Sequence, residues 1–339
     1  MKPIIAITMG DPAGIGPEVI VKALSKPLIR RICRPVVIGD RTVIEQTARR
    51  LKPFPKIRSV SAPEESVRSK KGIDVIDLKN VDLSRRVIGR PEAAGGRAAV
   101  EAIKAAARLA MDRRVAAVVT APISKEALLA AGYPYPGHTE LLAELSGVKK
   151  VGMLMVAPAR SKKAPGLRIL LATTHIAIRD LPNRLTRECV ENAIRLAHQA
   201  AVKYFDCKRP RLAVTGLNPH AGEGGLFGRE EEDIIRPAVE ATRREGIPVT
   251  GPWPADSLIH RAFVGEFDLV VAMYHDQALI PIKLLGFGRA VNVTVGLPFI
   301  RTSPDHGTAY DIAGKGIADP GSLLEAIRLA VRLTAMSAR

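Results

Sequence analysis

Apolar positions along the chain follow two alternating rhythms. Short β-branched runs at residues 3–9, 34–38, 115–120, 151–156, 168–173, 211–215, 269–273 and 290–295 read as strands. Between them, residues 96–114, 187–204, 230–245 and 321–336 carry apolar side chains at three- and four-residue spacing, which predicts amphipathic helices. Such alternation places the chain in the α/β class. Residues 52–90, rich in Pro, Ser and charge, break the rhythm and read as a surface excursion. Two helix starts follow glycine-rich loops. Gly16-Pro17-Glu18 and Asp319-Pro320 each set proline at the first helical position with an acid beside the positive helix end. Backbone N–H groups left free there suit an anion, such as a phosphate or a cofactor.

Composition narrows the class. With 339 residues, 47% hydrophobic and 25% charged, the chain can fill one or two cores, and bulk disorder is excluded. No apolar run approaches the ~20 residues of a bilayer crossing. Residues 4–9 are too short an apolar run for a signal peptide, so a soluble, cytoplasmic protein without a membrane partner is expected. Three scattered cysteines, Cys33, Cys189 and Cys207, exclude a disulfide framework and a thiolate zinc cluster. The net charge of +17 raises nucleic acid as a partner. Its distribution argues against one: the basic residues come as dispersed doublets such as Arg30-Arg31, Arg85-Arg86 and Lys162-Lys163, and the 4% of aromatics are not interleaved with them.

Candidate chemistry concentrates in loops. Gly14-Ile15-Gly16 opens like a dinucleotide fingerprint, but Val19 stands where its third glycine belongs. Four of the seven histidines, His138, His175, His220 and His275, lie in loop-like segments beside strand ends, whereas His198 and His260 read as structural. Neutral imidazoles are good ligands for a divalent metal, and three with an open position suit catalysis. Taken singly, each is an ordinary hydrogen-bonded loop histidine. Lys283, Asn292 and Arg301 are anion-binding types at strand or loop boundaries; arginine grips a phosphate or carboxylate through two parallel bonds. Metal and clamp together suggest a small, multiply anionic substrate.

At this point a family likeness enters. Gly10-Asp11-Pro12-Ala13-Gly14-Ile15-Gly16-Pro17-Glu18, Thr120-Ala121-Pro122-Ile123-Ser124-Lys125, Gly137-His138-Thr139-Glu140, Asn218-Pro219-His220-Ala221-Gly222, Tyr274-His275-Asp276-Gln277 and Gly296-Leu297-Pro298-Phe299-Ile300-Arg301 resemble the 4-hydroxythreonine-4-phosphate dehydrogenase family of pyridoxal phosphate biosynthesis. The likeness runs from about residue 4 to 335. Its wider kin are metal-dependent decarboxylating dehydrogenases such as isopropylmalate dehydrogenase, whose H-G-S-A-P-D-I-A-G-K loop is similar to the segment that runs from His306 to Lys315. Two departures from the family pattern stand out: a basic segment over 157–167, with Arg160, Lys162 and Lys163, and Ala278 in place of the usual glycine.

The resemblance implies two α/β domains flanking a cleft, isopropylmalate-dehydrogenase-like and not a Rossmann fold. Residues 1–127 plus 303–339 would form the cofactor-side domain. Residues 128–302 would form the metal, substrate and dimerisation domain of a homodimer whose active site is shared between subunits. It also implies NAD or NADP, and one divalent ion per active site (zinc, magnesium or cobalt) on His175, His220 and His275. His138, Thr139, Lys283, Asn292 and Arg301 would hold a small phosphorylated amino-acid substrate. Gly14, His306, Gly307, Thr308 and Asp311 would border the dinucleotide; Lys283 and Asp256 are the catalytic candidates, with Asp276 a further proton-handling group. The implied reaction oxidises 4-phosphooxy-L-threonine at C3 and then decarboxylates it to 3-amino-2-oxopropyl phosphate. The alternative is a paralogous 4-phosphothreonate or 4-phosphoerythronate dehydrogenase of sugar-acid catabolism. A metal-dependent hydrolase is disfavoured by the cofactor-like loops.

Overall fold

The alternating rhythm becomes strands and helices in succession along a computed structural model that describes residues 2–51, 55–66, 72–159 and 166–337. Contacts divide the chain into two units, Met1–Lys149 with Leu297–Ala335, and Lys150–Gly296 with Met336–Arg339. The first opens with β1 (Ile4–Thr8), α1 (Gly16–Leu24), α2 (Pro27–Ile32), β2 (Arg34–Gly39), α3 (Arg41–Arg49), β3 (Ile57–Ser59) and β4 (Ile73–Asp77). It continues through α4 (Ala93–Met111), β5 (Ala117–Thr120), α5 (Lys125–Ala130) and α6 (His138–Leu145). The second holds β6 (Gly152–Ala157), β7 (Leu167–Leu171), α7 (Leu181–Arg184), α8 (Arg187–Phe205), β8 (Leu212–Thr215) and α9 (Arg236–Arg244). β9 (Val249–Trp253), α10 (Ala255–Phe263), β10 (Leu269–Ala272), α11 (His275–Gly286) and β11 (Val291–Val295) complete it, and β12 (Ile300–Pro304) and the start of α12 (Gly321–Ser337) return the chain to the first.

In the first unit the strands run β3-β4-β2-β1-β5-β12, parallel throughout. Ile5, Ala6 and Ile7 of β1 are wholly buried, as are Val118 and Val119 of β5. Strands covered on both faces read as unbroken apolar runs, which is why they stand out in the sequence. The chain leaves β1 toward β2 on one side and reaches β5 on the other. Loops at the carboxyl ends of β1 and β5 therefore face the point where strand order reverses, the usual ligand position in an open α/β sheet.

One expectation changes here. Residues 52–90 are more than an excursion: β3 and β4 form an edge of this sheet, and Ile73 and Val75 bury almost completely. Their shortness, and the Pro, Ser and charge around them, hide that pattern. The contact-defined units divide at 149/150 and 296/297, and α6 and β12 pack with β5 and its following loop.

The second unit's strands run β11-β6-β7-β10-β8-β9. The first two pairings are antiparallel and the rest parallel. β6 and β7 enclose the basic segment, whose Arg160, Lys162 and Lys163 lie outside the described residues. Ala278, the departure on α11, is fully buried in a core cluster that also includes Ile169, Leu171 and Val270. Single members of the surface doublets form ion pairs, as Arg49 does with Glu45 at 2.9 Å and Arg114 with Glu64 at 2.7 Å. Exposed pairs of this kind add little stability. Among the described residues no helix is long and apolar enough to cross a membrane, and all three cysteines are free.

Helix α4 meets α5 at Gly96, where an added Cβ would sit 2.1 Å from the Ala127 carbonyl oxygen. Gly to Ala inside a helix normally stabilises by about 0.5–1 kcal/mol. Gly96→Ala is expected to do the opposite, destabilising by about 1–3 kcal/mol or more through overpacking, read as a lower midpoint in thermal or urea unfolding.

Candidate active site

Strand order brings the loop histidines to one edge of the second sheet. His175 follows β7, His275 follows β10 and His220 follows β8, and these three parallel strands are neighbours in the order β7-β10-β8. Pairing continues past the strand ends, with Thr173 N–H donating to the Met273 carbonyl at 3.2 Å and its hydroxyl at 2.7 Å. The rings of His175 and His275 stand 5.6 Å apart between centroids. His275 Nδ1 lies 2.7 Å from Asp276 Oδ1. A carboxylate there favours the tautomer that leaves Nε2 with its lone pair, the arrangement common in metal-bound histidines. His220 instead packs beside Phe227, centroids 6.1 Å apart, and lines a cavity with Asp256, Tyr274 and Gln277. Among the described residues no three His, Cys, Asp or Glu side chains converge as a metal set within this chain.

The His220 loop is held under strain. His220 (φ 53), Ala221 (φ 52) and Glu223 (φ 45) are all left-handed, as are Gly222 and Gly224. Each non-glycine residue in that region costs on the order of 1 kcal/mol, so something must enforce it. Glu231, 1% exposed, does so: one carboxylate oxygen accepts the Leu217 and Asn218 N–H groups, both at 2.7 Å, and the other accepts Asn218 Nδ2 at 3.0 Å. The carboxylate lies so close to Gly222 that a Cβ there would come within 2.7 Å of it. Gln277 ties this loop to that of His275, taking N–H from Met273 and O–H from Thr215 while donating to the Gly216 carbonyl at 2.8 Å. Sequence reasoning misses both residues. Glu231 sits in the acidic run Glu230-Glu231-Glu232-Asp233, which reads as a solvated face, and no spacing signal marks one member as buried.

In the first unit, Arg301 on β12 is 2% exposed and donates to Thr120 Oγ1 at the end of β5, through Nε at 3.2 Å and Nη2 at 2.6 Å. Burial pulls its guanidinium down to about 9, opposed by the charge of Glu140. The same burial, with the Arg301 charge beside it, holds His138 well below its ordinary value, so the ring is neutral near pH 7. His138, at the start of α6 beside Thr139, bonds the Ala121 backbone, and its other nitrogen, Nε2, is buried without a partner. Asn292 Oδ1 on β11 and His306 Nε2 are likewise buried and unpartnered. Leaving a buried polar atom unpaired costs about 1–3 kcal/mol. Three of the sequence-predicted binding residues therefore each bury one polar atom that has no partner among the described residues. Lys283 lies on α11, two turns beyond His275.

The two glycine-rich loops meet as the sequence suggests. Gly14 packs so tightly on Thr308 that a Cβ would fall 2.9 Å from the threonine Cβ, and Ile15 N–H donates to the Thr308 carbonyl at 2.9 Å. Asp11 holds this junction by accepting the Ala13 N–H at 2.8 Å and the Tyr310 hydroxyl at 2.7 Å, and burial raises its carboxyl above the ordinary range. Gly307 and Asp311 stand exposed in the same loop.

Two α/β units with imidazoles at parallel strand ends and a buried arginine beside a neutral histidine define a dehydrogenase-like α/β protein. The family profile described as pyridoxal phosphate biosynthetic protein PdxA matches residues 31–330. The chain belongs to that family. It is 49% identical over 332 residues to a D-threonate 4-phosphate dehydrogenase of Cupriavidus necator, covering 98% of this chain and 97% of the relative. It is 47% identical over 330 residues to a 4-hydroxythreonine-4-phosphate dehydrogenase of Beijerinckia indica, covering 97% and 94%. The crystal structure of a 4-hydroxythreonine-4-phosphate dehydrogenase from Klebsiella pneumoniae superposes with TM-score 0.89 at 43% identity, over 98% of each chain. An isocitrate dehydrogenase from Methylococcus capsulatus shares the fold at TM-score 0.52 and 15% identity, over 100% and 87%. The expected isopropylmalate-type architecture, not a Rossmann fold, accords with this.

Glu231→Gln keeps one acceptor oxygen but turns an amide NH2 toward the Asn218 side chain. It is expected to cost about 1–3 kcal/mol of stability and to speed hydrogen exchange at the Leu217 and Asn218 amides. Unchanged exchange there would mean that Glu231 does not hold the loop.

Proposed function

We propose that this chain is an NAD(P)- and divalent-metal-dependent dehydrogenase that oxidises 4-phosphooxy-L-threonine at C3 and decarboxylates it to 3-amino-2-oxopropyl phosphate, in pyridoxal phosphate synthesis. The observation that carries the reading is the set of vacant buried atoms on His138, Asn292 and His306, together with histidines at three adjacent strand ends. Arg301, held in place by Thr120, supplies the positive charge for the phosphate, with Thr139, Lys283 and Asn292 as further contacts. The bond from its ring to the Ala121 carbonyl leaves His138 Nε2 as an acceptor for a substrate O–H or N–H. Lys283 and Asp256 are the proton-handling candidates.

His175, His220 and His275 would hold the divalent ion, and imidazole donors suit zinc or cobalt better than magnesium, which prefers oxygen ligands; among the described residues of one chain the three do not converge as a metal set. When bound there, such an ion supplies Lewis acidity to the substrate oxygens during both oxidation and decarboxylation. Gly14, His306, Gly307, Thr308 and Asp311 would hold NAD or NADP, which would supply the hydride acceptor. A homodimer completes the site in this reading. Helix α11, which carries His275 and Lys283, also exposes Ile280 (65%), Leu284 (80%) and Phe287 (85%) at helical spacing, an apolar stripe suited to a second copy. Three free thiols fit a reducing cytoplasm.

A second reading has specific support, since the Cupriavidus necator relative at 49% identity is a D-threonate 4-phosphate dehydrogenase. Metal, clamp and cofactor loop would serve both substrates, which differ by an amino group or a hydroxyl. NADH or NADPH formation with 4-phosphooxy-L-threonine and 4-phosphothreonate, side by side, decides between them. Faster, chelator-sensitive turnover of the amino acid is expected. Preference for the threonate would move the enzyme to sugar-acid catabolism, and turnover that survives both chelation and His220→Ala would overturn the metal assignment.

Substrate binding has a predictable pH limit. A guanidinium is charged below its folded-state value and neutral above it, so phosphate affinity should hold through pH 7–8 and fall as pH rises through about 9. A rise in substrate KM there checks this. Arg301→Lys, which keeps a charge but loses the paired donors, should raise KM at least about tenfold at neutral pH.

A further inference from the structure

A small cleft within the first unit opens beside the glycine loop, bordered by Gly14, Pro17, Thr47, Arg50, Arg86 and Gly314. Two guanidinium groups face it, and neither forms an ion pair with a carboxylate among the described residues. Arg50 ends α3, is exposed, and lies with Nη1 3.4 Å from where a Gly314 Cβ would stand. Arg86 bonds Gln46 through Nη2, while its Nη1 is buried without a partner. The two like charges act on each other, and burial together with Arg50 lowers Arg86 from its ordinary value.

The nearby carboxylates are already committed. Asp40 caps α3, accepting N–H from Thr42, Val43 and Val81. Glu18 pairs with Lys22 at 2.8 Å and accepts the Ala318 and Gly316 N–H groups. Asp40 acts on Arg86 only through its charge and forms no ion pair with it. Two arginines without an ion-pair partner among the described residues, one with a buried N–H unpartnered there, make an anion site. The cleft measures only about 20 Å³. The cleft opens to solvent, so the outer oxygens of a phosphoryl group could reach the two arginines while the rest of its molecule stays outside. The cleft shares Gly14 with the Thr308 contact, and Gly314 lies in the loop that begins at His306.

We propose that Arg50 and Arg86 bind the terminal 2′-phosphate of a phosphorylated nicotinamide dinucleotide, and so make this enzyme discriminate NADP from NAD. The inference rests on the reading of residues 306–311 as the cofactor loop. Arginine donors set against a 2′-phosphate are the general device by which dinucleotide sites of other folds accept NADP. The binding deepens the proposed activity by naming its hydride acceptor.

Titration calorimetry with 2′,5′-ADP, 5′-AMP and inorganic phosphate tests it on the full-length protein, with Arg50→Gln, Arg86→Gln and Arg86→Lys compared to the parent. Arg50 is exposed, so its variant keeps the inference testable if Arg86→Gln fails to fold. The parent should bind 2′,5′-ADP at least about tenfold tighter than 5′-AMP, the worth of a charge-assisted bond to phosphate. Both Gln variants should bring that ratio toward one, Arg86→Lys should keep part of it, and the NADP-to-NAD ratio of kcat/KM should fall in step. Equal affinities in the parent, or a preference that survives both Gln variants, would overturn the inference. Arginine-dependent binding of inorganic phosphate without preference for 2′,5′-ADP would overturn it too, leaving a free-anion site. Turnover with NAD alongside a ratio of one defeats this inference alone, whereas no nucleotide binding and no turnover defeats the dehydrogenase reading as well.

Discussion

A loop at the end of a parallel strand leaves backbone N–H groups that the strand ladder no longer pairs, and burial makes each one costly. In this protein carboxylates take them. Asp11, Glu18, Asp40 and Glu231 are all 3% exposed or less, and each accepts N–H groups from a loop or helix start: Ala13, Gly316 with Ala318, Thr42 with Val81, and Leu217 with Asn218. Without them the glycine loops could not keep their shapes, nor the His220 loop its left-handed residues. Binding surface and catalytic side chains hang on that one exchange of water for carboxylate oxygen.

On this scaffold, strand order does the positioning. Histidines separated along the chain by whole strand-helix passages reach one sheet edge because β7, β10 and β8 are adjacent and parallel, so every carboxyl end points the same way. Gln277 then couples two of those loops by hydrogen bonds to backbone on both sides. The helix that starts at His275 buries one side, including Ala278, in the core and shows Ile280, Leu284 and Phe287 on another. One element thus serves core, site and proposed partner face.

Charge is used unevenly. Of the large positive excess, most is spread in exposed pairs that water and salt screen. Arg301 differs because it is buried, fixed by Thr120 and placed beside a histidine that its own charge helps keep neutral. Arg86 resembles it in being lowered by burial, and one of its donors, Nη1, is buried without a partner among the described residues. Desolvated cations of this sort destabilise the free protein and strengthen the hold on an anion, which is how a site trades stability for affinity.

The sequence by itself determined the α/β class, the strands with unbroken apolar runs, and the family motifs from Gly10 to Glu18 and around His220 and His275, since burial on both faces and glycine-dependent turns leave direct marks in residue type. It also marked Gly14 and Thr308 as belonging to one function, and the fold sets them in contact. It could not show β3 and β4, whose few apolar positions are lost among Pro, Ser and charge, nor where the units divide. Glu231 and Arg86 were equally hidden, one in an acidic run and one in a basic doublet, where every member has the same chemistry until packing chooses which is buried. Those choices belong to tertiary structure because burial, and with it the worth of each charge and hydrogen bond, depends on neighbours remote in the chain.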